Sequence, residues 1–118
     1  MEKVLVKVLI VEDREFMQEI WRRILEGKIE VISALSIEEA ERMFAANPGI
    51  VAVVMDACVP GREINTIPLV EKIRATFTGP MLTTSDNPAF NQMLIKAGCN
   101  HECLKEKVPE KLCEILGL

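Results

Sequence analysis

Short apolar runs alternate along this chain with stretches whose apolar residues recur every three or four positions. The first run, Lys3 to Val11 (KVLVKVLIV), stops at the acidic pair Glu12-Asp13. It predicts a buried strand. Over Arg14–Leu25, the residues Phe16, Met17, Ile20, Trp21, Ile24 and Leu25 share one helical face. That spacing predicts an amphipathic helix with this face inward, stopping at Gly27. Glu30–Leu35 reads as a second strand. Ser36 then offers an N-cap with Glu39 reaching back, a capping box that opens a helix lined by Ile37, Ala40, Met43 and Phe44. Asn47-Pro48-Gly49 closes it.

The third strand, Ile50–Met55, is apolar on both faces and ends on Asp56. The Pro60-Gly61 turn keeps that acid out of a helix. Asn65 or Thr66 is then placed to cap a third helix, with Pro68 in its first turn and Ile67, Val70, Ile73 and Phe77 as its stripe. Thr78-Gly79-Pro80 breaks the chain before a fourth strand, Met81–Ser85. Asn87-Pro88 opens a fourth helix with Phe90, Met93, Leu94 and Ala97 inward, ending at Gly98. His101–Lys105 is a weak fifth strand. Val108-Pro109 opens a last helix with Leu112, Ile115 and Leu116 apolar. Alternation of strands and helices at this spacing predicts an α/β fold, a parallel sheet covered on both faces. The first and third strands are apolar enough to be central. The 118 residues fit one domain, residues 1–118, with no internal repeat or linker.

Composition narrows the function classes. Apolar residues make up 49 % of the chain, enough for a core without disulfides or metal. The net charge of −4 argues against direct nucleic-acid binding, which calls for a basic face. No apolar run approaches the roughly 20 residues of a bilayer span. The N-terminus lacks a signal-peptide layout. The expectation is a soluble, cytoplasmic protein whose four cysteines, Cys58, Cys99, Cys103 and Cys113, are reduced.

In an open α/β sheet, ligands sit beyond the carboxyl ends of the strands. Those ends carry Glu12 and Asp13, then Asp56, then Thr83, Thr84 and Ser85, then Lys105. Neighbouring strand ends are about 5 Å apart, so the three carboxylates would crowd one pocket. Such crowding raises carboxyl pKa values unless a cation neutralises it. Mg²⁺, which is content with a few carboxylates plus waters, is the natural solution. Acids, a divalent ion, a lysine and a hydroxyl suit the holding and neutralising of a phosphoryl group. Asp56 could itself be the nucleophile.

The segments VLIVEDREF, VVMDACVPG, PMLTTSD and AGCNHECLK resemble those of bacterial two-component response-regulator receiver domains, over about Lys7 to Leu118. The resemblance implies a flavodoxin-like, three-layer α/β/α sandwich, with a five-stranded parallel sheet of order 2-1-3-4-5 and five helices. It implies that Asp13 ligates Mg²⁺ directly, with Glu12 as its outer partner. Asp56 accepts phosphate from a histidine kinase, and Cys58 contributes only its backbone carbonyl to the metal. Lys105 is the strand-five lysine, with Lys107 as fallback. The strand-four hydroxyl is Ser85, five residues past Pro80, with Thr84 as fallback. Implied partners are a sensor histidine kinase or phosphotransfer protein and a downstream protein target. Helix 4, strand 5 and helix 5 form the surface on which a homodimer would build. The expectation is a receiver, standing alone or as one domain of a larger protein, that promotes its own phosphorylation and is not a turnover enzyme.

Two positions depart from the family. Glu106 follows the lysine where proline is usual, and Glu102 falls where many members carry an aromatic switch residue. Both favour the alternative of a degenerate receiver that docks regardless of phosphorylation. A phosphatase of the haloacid-dehalogenase type also uses an Asp after a strand, but its second Asp would fall at Cys58. Cys99, His101 and Cys103 alternate and would share a strand face, which raises a metal or redox role; a zinc site would need further ligands. Trp21 is expected on the buried face of its helix, with no assigned function.

Overall fold

The computed structural model describes residues 4–118 and is an α/β/α sandwich. Strands β1 (Val6–Val11), β2 (Ile29–Ala34), β3 (Ile50–Met55), β4 (Met81–Thr83) and β5 (His101–Glu102) are parallel, in the order β2-β1-β3-β4-β5. Helices α1 (Glu15–Leu25), α2 (Ile37–Ala46), α3 (Ile67–Arg74), α4 (Pro88–Ala97) and α5 (Val108–Leu116) connect and cover them. Sheet order, strand direction and helix count are all as expected. The part of the first strand expected at Lys3 lies outside the described residues.

Side-chain parity divides the core in two. Leu9, Val11, Val53, Met55 and Met81 pack with Val70, Ile73 and Leu94 of α3 and α4. Val8, Ile10, Ala52, Val54 and Leu82 pack with Trp21, Leu25, Val108 and Leu112 of α1 and α5. A register slip of one residue would exchange these faces, so burial on both sides fixes the register. Ser36 caps α2 by accepting from the Glu39 N–H at 3.1 Å, while Glu39 accepts from the Leu35 N–H at 3.1 Å. Asn87 caps α4 through the Ala89 N–H.

Several expectations need correction. On α1, Phe16, Ile20 and Ile24 are exposed, at 59, 46 and 56 %. Trp21 and Leu25 are buried as expected, and so is the polar Gln18. The helix lies on the sheet along a stripe turned toward 18-21-25. The apolar residues spanned more of the circumference than one contact line can cover. Met93 on α4 is likewise exposed, at 43 %. Thr66 holds the N-cap position of α3, but its hydroxyl makes no capping bond and goes instead to the Asp56 and Ala57 carbonyls, while Asn65 bonds Val59. The fourth and fifth strands are shorter than their apolar runs. Lys105 stands in a 3-10 turn, Lys105–Lys107, and not on a strand. Cys99 packs in the first core and Cys103 in the second, so they do not share a face.

Candidate functional site

The ladder continues past the strand ends and aligns them. The Glu12 N–H donates to Ala34 O (3.0 Å), Asp56 N–H to Val11 O (3.0 Å), Thr84 N–H to Met55 O (3.1 Å) and Cys103 N–H to Thr83 O (3.2 Å). The strand ends therefore form one straight edge, and the polar residues that follow them meet there. Carboxylate oxygens of Glu12, Asp13 and Asp56 all lie within 4.8 Å of one another. Across that separation, at an effective dielectric constant of about 20, two unit charges repel by about 3.5 kcal/mol.

Lys105 offsets this repulsion. Its Nζ donates to Glu12 Oε1 at 2.5 Å and lies 3.1 Å from Asp56 Oδ2. Glu12 is fully buried and Lys105 nearly so. The second Glu12 oxygen accepts from the Arg14 backbone N–H at 3.2 Å, and the Arg14 guanidinium lies 3.7 Å from the first. Burial pushes Glu12 up, but the Lys105 hydrogen bond and charge, with the Arg14 N–H, outweigh it and hold the carboxyl below its ordinary value. Burial, with Glu12 beside it, raises Asp13. Asp56 is pushed up to about 6 by burial and by the Glu12 charge, against the pull of Lys105 and the Cys58 backbone N–H. Glu12 is thus the settled anion of the group, and Asp56 the one whose charge is least compensated.

Asp13, Asp56, Cys58, Ser85 and Lys105 line one cavity of about 520 Å³, together with Arg14 and Arg62. Thr84 is buried and does not line it, and its hydroxyl has no hydrogen-bond partner among the described residues. Lys107 is exposed and pairs with Glu110 at 3.5 Å. Burial raises the Cys58 thiol, so it stays protonated. Cys99 and Cys103 are pushed up to about 12 and about 11 by burial, which leaves both as neutral core thiols.

The oxygen donors suit a hard divalent cation. The lone pairs of Glu12 are largely taken by Lys105 and Arg14, whereas Asp13 and Asp56 face the cavity. That division favours direct ligation by the two aspartates and a supporting role for the glutamate.

Sequence reasoning missed the residues that hold this edge. Asn91 accepts from the Thr83 hydroxyl (2.8 Å) and the Ser85 N–H (2.9 Å), and donates to Ser85 O (2.9 Å). The Thr66 hydroxyl lies 2.9 and 3.1 Å from the carbonyls of Asp56 and Ala57. Asn65 brackets Val59, accepting from its N–H at 2.8 Å and donating to its carbonyl at 2.9 Å. Gln18 Nε2 lies 2.9, 3.2 and 3.3 Å from the carbonyls of Ile10, Glu12 and Ala34. The Trp21 indole N–H donates to the Lys105 carbonyl at 3.2 Å. A signal existed for two of these. Asn91 and Gln18 are polar residues at inward helical positions, where a buried amide needs backbone partners.

No protein-family model matches the chain, and no curated protein does. Solved structures do. A protein described as a response regulator from Chloroflexus aurantiacus J-10-fl superposes with a TM-score of 0.80 at 25 % identity, covering 98 % of this chain and 100 % of that one. A CheY-like response-regulator receiver domain protein from Methanospirillum hungatei JF-1 gives 0.77 at 21 %, covering 97 and 95 %. A response regulator from Burkholderia pseudomallei, with a phosphorylated aspartic acid, a calcium ion and citrate, gives 0.79 at 18 %, covering 93 and 65 %.

Proposed function

The chain has the fold of response-regulator receiver domains, and from that premise we propose that it is a phosphoacceptor receiver in which Asp56 takes a phosphoryl group from a phosphohistidine. One observation carries the reading. A buried lysine bridges Asp56 and a second, fully buried acid at the carboxyl edge of the sheet, with Asp13 beside them.

An ionised Asp56 oxygen attacks the phosphorus of the donor. The O–P bond forms as the P–N bond breaks, and the electron pair leaves with the imidazole nitrogen. Lys105 Nζ already lies 3.1 Å from Asp56 Oδ2, so it can turn one N–H to a phosphoryl oxygen while Glu12 holds it in place. The Ser85 hydroxyl, at the cavity wall, donates to another. Mg²⁺ would be held by Asp13, Asp56 and the Cys58 carbonyl, with Glu12 behind them, and when bound supplies positive charge against the phosphoryl oxygens. The phosphorylated aspartate and calcium ion of the Burkholderia neighbour fit this reading. The partners would be a sensor histidine kinase or phosphotransfer protein and a downstream protein. Among the described residues, no helix is long and apolar enough to cross a membrane.

Acetyl phosphate with Mg²⁺ tests this. The expected result is the mass gain of one phosphoryl group, lost in Asp56→Asn and without the metal. A gain that survives Asp56→Asn refutes the assignment. A second reading is a docking module indifferent to phosphorylation. It draws on Glu102, which lies exposed on β5 within 3.3 Å of Gln92 and not as a buried aromatic. Equal partner binding by wild type and Asp56→Asn, with and without phosphodonor, would favour it.

A further inference from the structure

Helix α1 supplies no residue to the acid cavity beyond its flanking Arg14, yet its inner face reaches both halves of the Glu12–Lys105 pair. Gln18 and Trp21 are three residues apart and therefore neighbours on that face. Gln18 Nε2 lies 3.2 Å from the Glu12 carbonyl. Trp21 Nε1 donates to the Lys105 carbonyl at 3.2 Å, across 84 residues of chain. Trp21 is 1 % exposed, so this N–H has no water to fall back on.

Apart from this indole, the Lys105 backbone is held by bonds inside its own turn. β5 ends at Glu102, and Lys105 begins a single 3-10 turn, closed by the Lys107 N–H on the Leu104 carbonyl at 2.9 Å and by the Val108 N–H on the Lys105 carbonyl, which the indole therefore shares. Leu104, just before it, is 56 % exposed. Position 106 is glutamate, so no ring restrains the chain after the lysine. Yet the side chain must reach two carboxylates at once, at 2.5 and 3.1 Å. A short turn on a two-residue strand does not define a backbone position that closely. A buried indole packed among Val108, Leu112 and Leu25 does.

We propose that Trp21 is a positioning residue for Lys105, whose indole N–H fixes the backbone from which the lysine bridges Glu12 and Asp56. Gln18 does the same for the Glu12 side, and α1 thereby sets the spacing of the pair. The phosphorylation half of this inference rests on the receiver reading above; the linkage of Trp21 to Lys105 does not.

The test uses Trp21→Phe, which keeps an aromatic ring in the core and removes the N–H. Two readouts are taken on the full chain. The first is the rate at which the Lys105 amine is methylated by formaldehyde and a borohydride, resolved lysine by lysine by mass spectrometry against exposed Lys107. The expected result is Lys105 labelling about three- to tenfold faster in Trp21→Phe, as loss of one buried hydrogen bond implies, with Lys107 unchanged. The second is the rate of Asp56 phosphorylation by acetyl phosphate at saturating Mg²⁺ in wild type, Trp21→Phe, Lys105→Gln and the double variant. Trp21→Phe should be slower than wild type by about the same factor, yet cost nothing further in the Lys105→Gln background. A purely packing role would slow both backgrounds equally.

Unchanged Lys105 labelling, or equal slowing of both backgrounds, overturns the inference and leaves the receiver reading standing. Faster Lys105 labelling in a chain whose wild type takes no phosphoryl group at Asp56 sinks the receiver reading and upholds the linkage. If Trp21→Phe fails to fold, Trp21→Met carries the same test, since it too fills the core and donates no N–H. Faster Lys105 labelling in a folded Trp21→Met supports the inference, and unchanged labelling overturns it.

Discussion

Replacing Asp56 with asparagine should stabilise the metal-free protein. Asp56 titrates at about 6 in the folded chain, against an ordinary value of 3.8, because it is buried beside Glu12. The folded state therefore holds that proton more tightly than the unfolded chain does. The stability tied to it is fully present below about pH 4 and lost as pH rises through about 6. A shift of about 2 units, at 1.36 kcal/mol each, amounts to about 3 kcal/mol at pH 8. The attraction of Lys105 for Asp56 is already inside that net shift. Asparagine keeps the size and an acceptor oxygen for Lys105 but carries no charge. Allowing for relaxation at the cavity, the expected gain is about 1–3 kcal/mol. At about 4 °C per kcal/mol for a chain of this length, the melting temperature should rise by about 4–12 °C. Thermal melts in chelator at pH 8 and pH 4 measure it. The gain should shrink to under about 1 kcal/mol at pH 4, where wild-type Asp56 is protonated when folded. Mg²⁺ at pH 8 should narrow it, since the ion stabilises the ionised wild type. A variant that melts at or below wild type at pH 8 would refute the reasoning. A gain undiminished at pH 4 would show that its origin is not electrostatic.

Lys105→Met should cost about 3–4 kcal/mol at pH 8, because it leaves Glu12 buried and unpaired. The cost should lessen toward pH 5 as Glu12, no longer held down by the lysine, takes a proton; urea denaturation at both pH values decides this. Asn91→Ala removes a partner from Thr83 and from both backbone groups of Ser85, and should lower stability by about 2–3 kcal/mol. A urea midpoint within error of wild type would contradict that. Phe16→Ser and Ile20→Ser should each change stability by no more than about 0.5 kcal/mol, since both residues are exposed. A drop beyond about 2 kcal/mol in a thermal melt would place them in the core. Cys58→Ala should leave Mg²⁺ affinity unchanged by calorimetry, because the neutral thiol is no ligand; a large loss would give the side chain a role.

Sequence by itself determined the layering and the location of the chemistry. Strand and helix periods differ, and a buried parallel strand must be apolar on both faces. Val6–Val11 and Ile50–Met55 therefore announced themselves, and so did the acids at their ends. The alternation alone set Glu12, Asp13 and Asp56 at strand ends, with Thr83, Thr84 and Ser85 open at the fourth; the choice of Ser85 and the role of Lys105 came from the resemblance. Local signals of short range, such as the Ser36–Glu39 box and the Asn87 cap, were equally readable.

Tertiary packing decided what periodicity left degenerate. The first helix carries apolar residues around much of its circumference, and only contact with the sheet chose the Trp21–Leu25 side over Phe16, Ile20 and Ile24. Cys99 and Cys103 looked like partners, but the fold sends one to each core. The turn at Lys105 replaced an expected strand end because β5 finds ladder partners only at Leu82 and Thr83. The hydrogen bonds of Gln18, Trp21, Thr66 and Asn91 span 6 to 84 residues of chain. Their donors and acceptors become neighbours only once the sheet has formed. A residue's own identity fixes what it can donate or accept. Which group it finds is a property of the assembled fold.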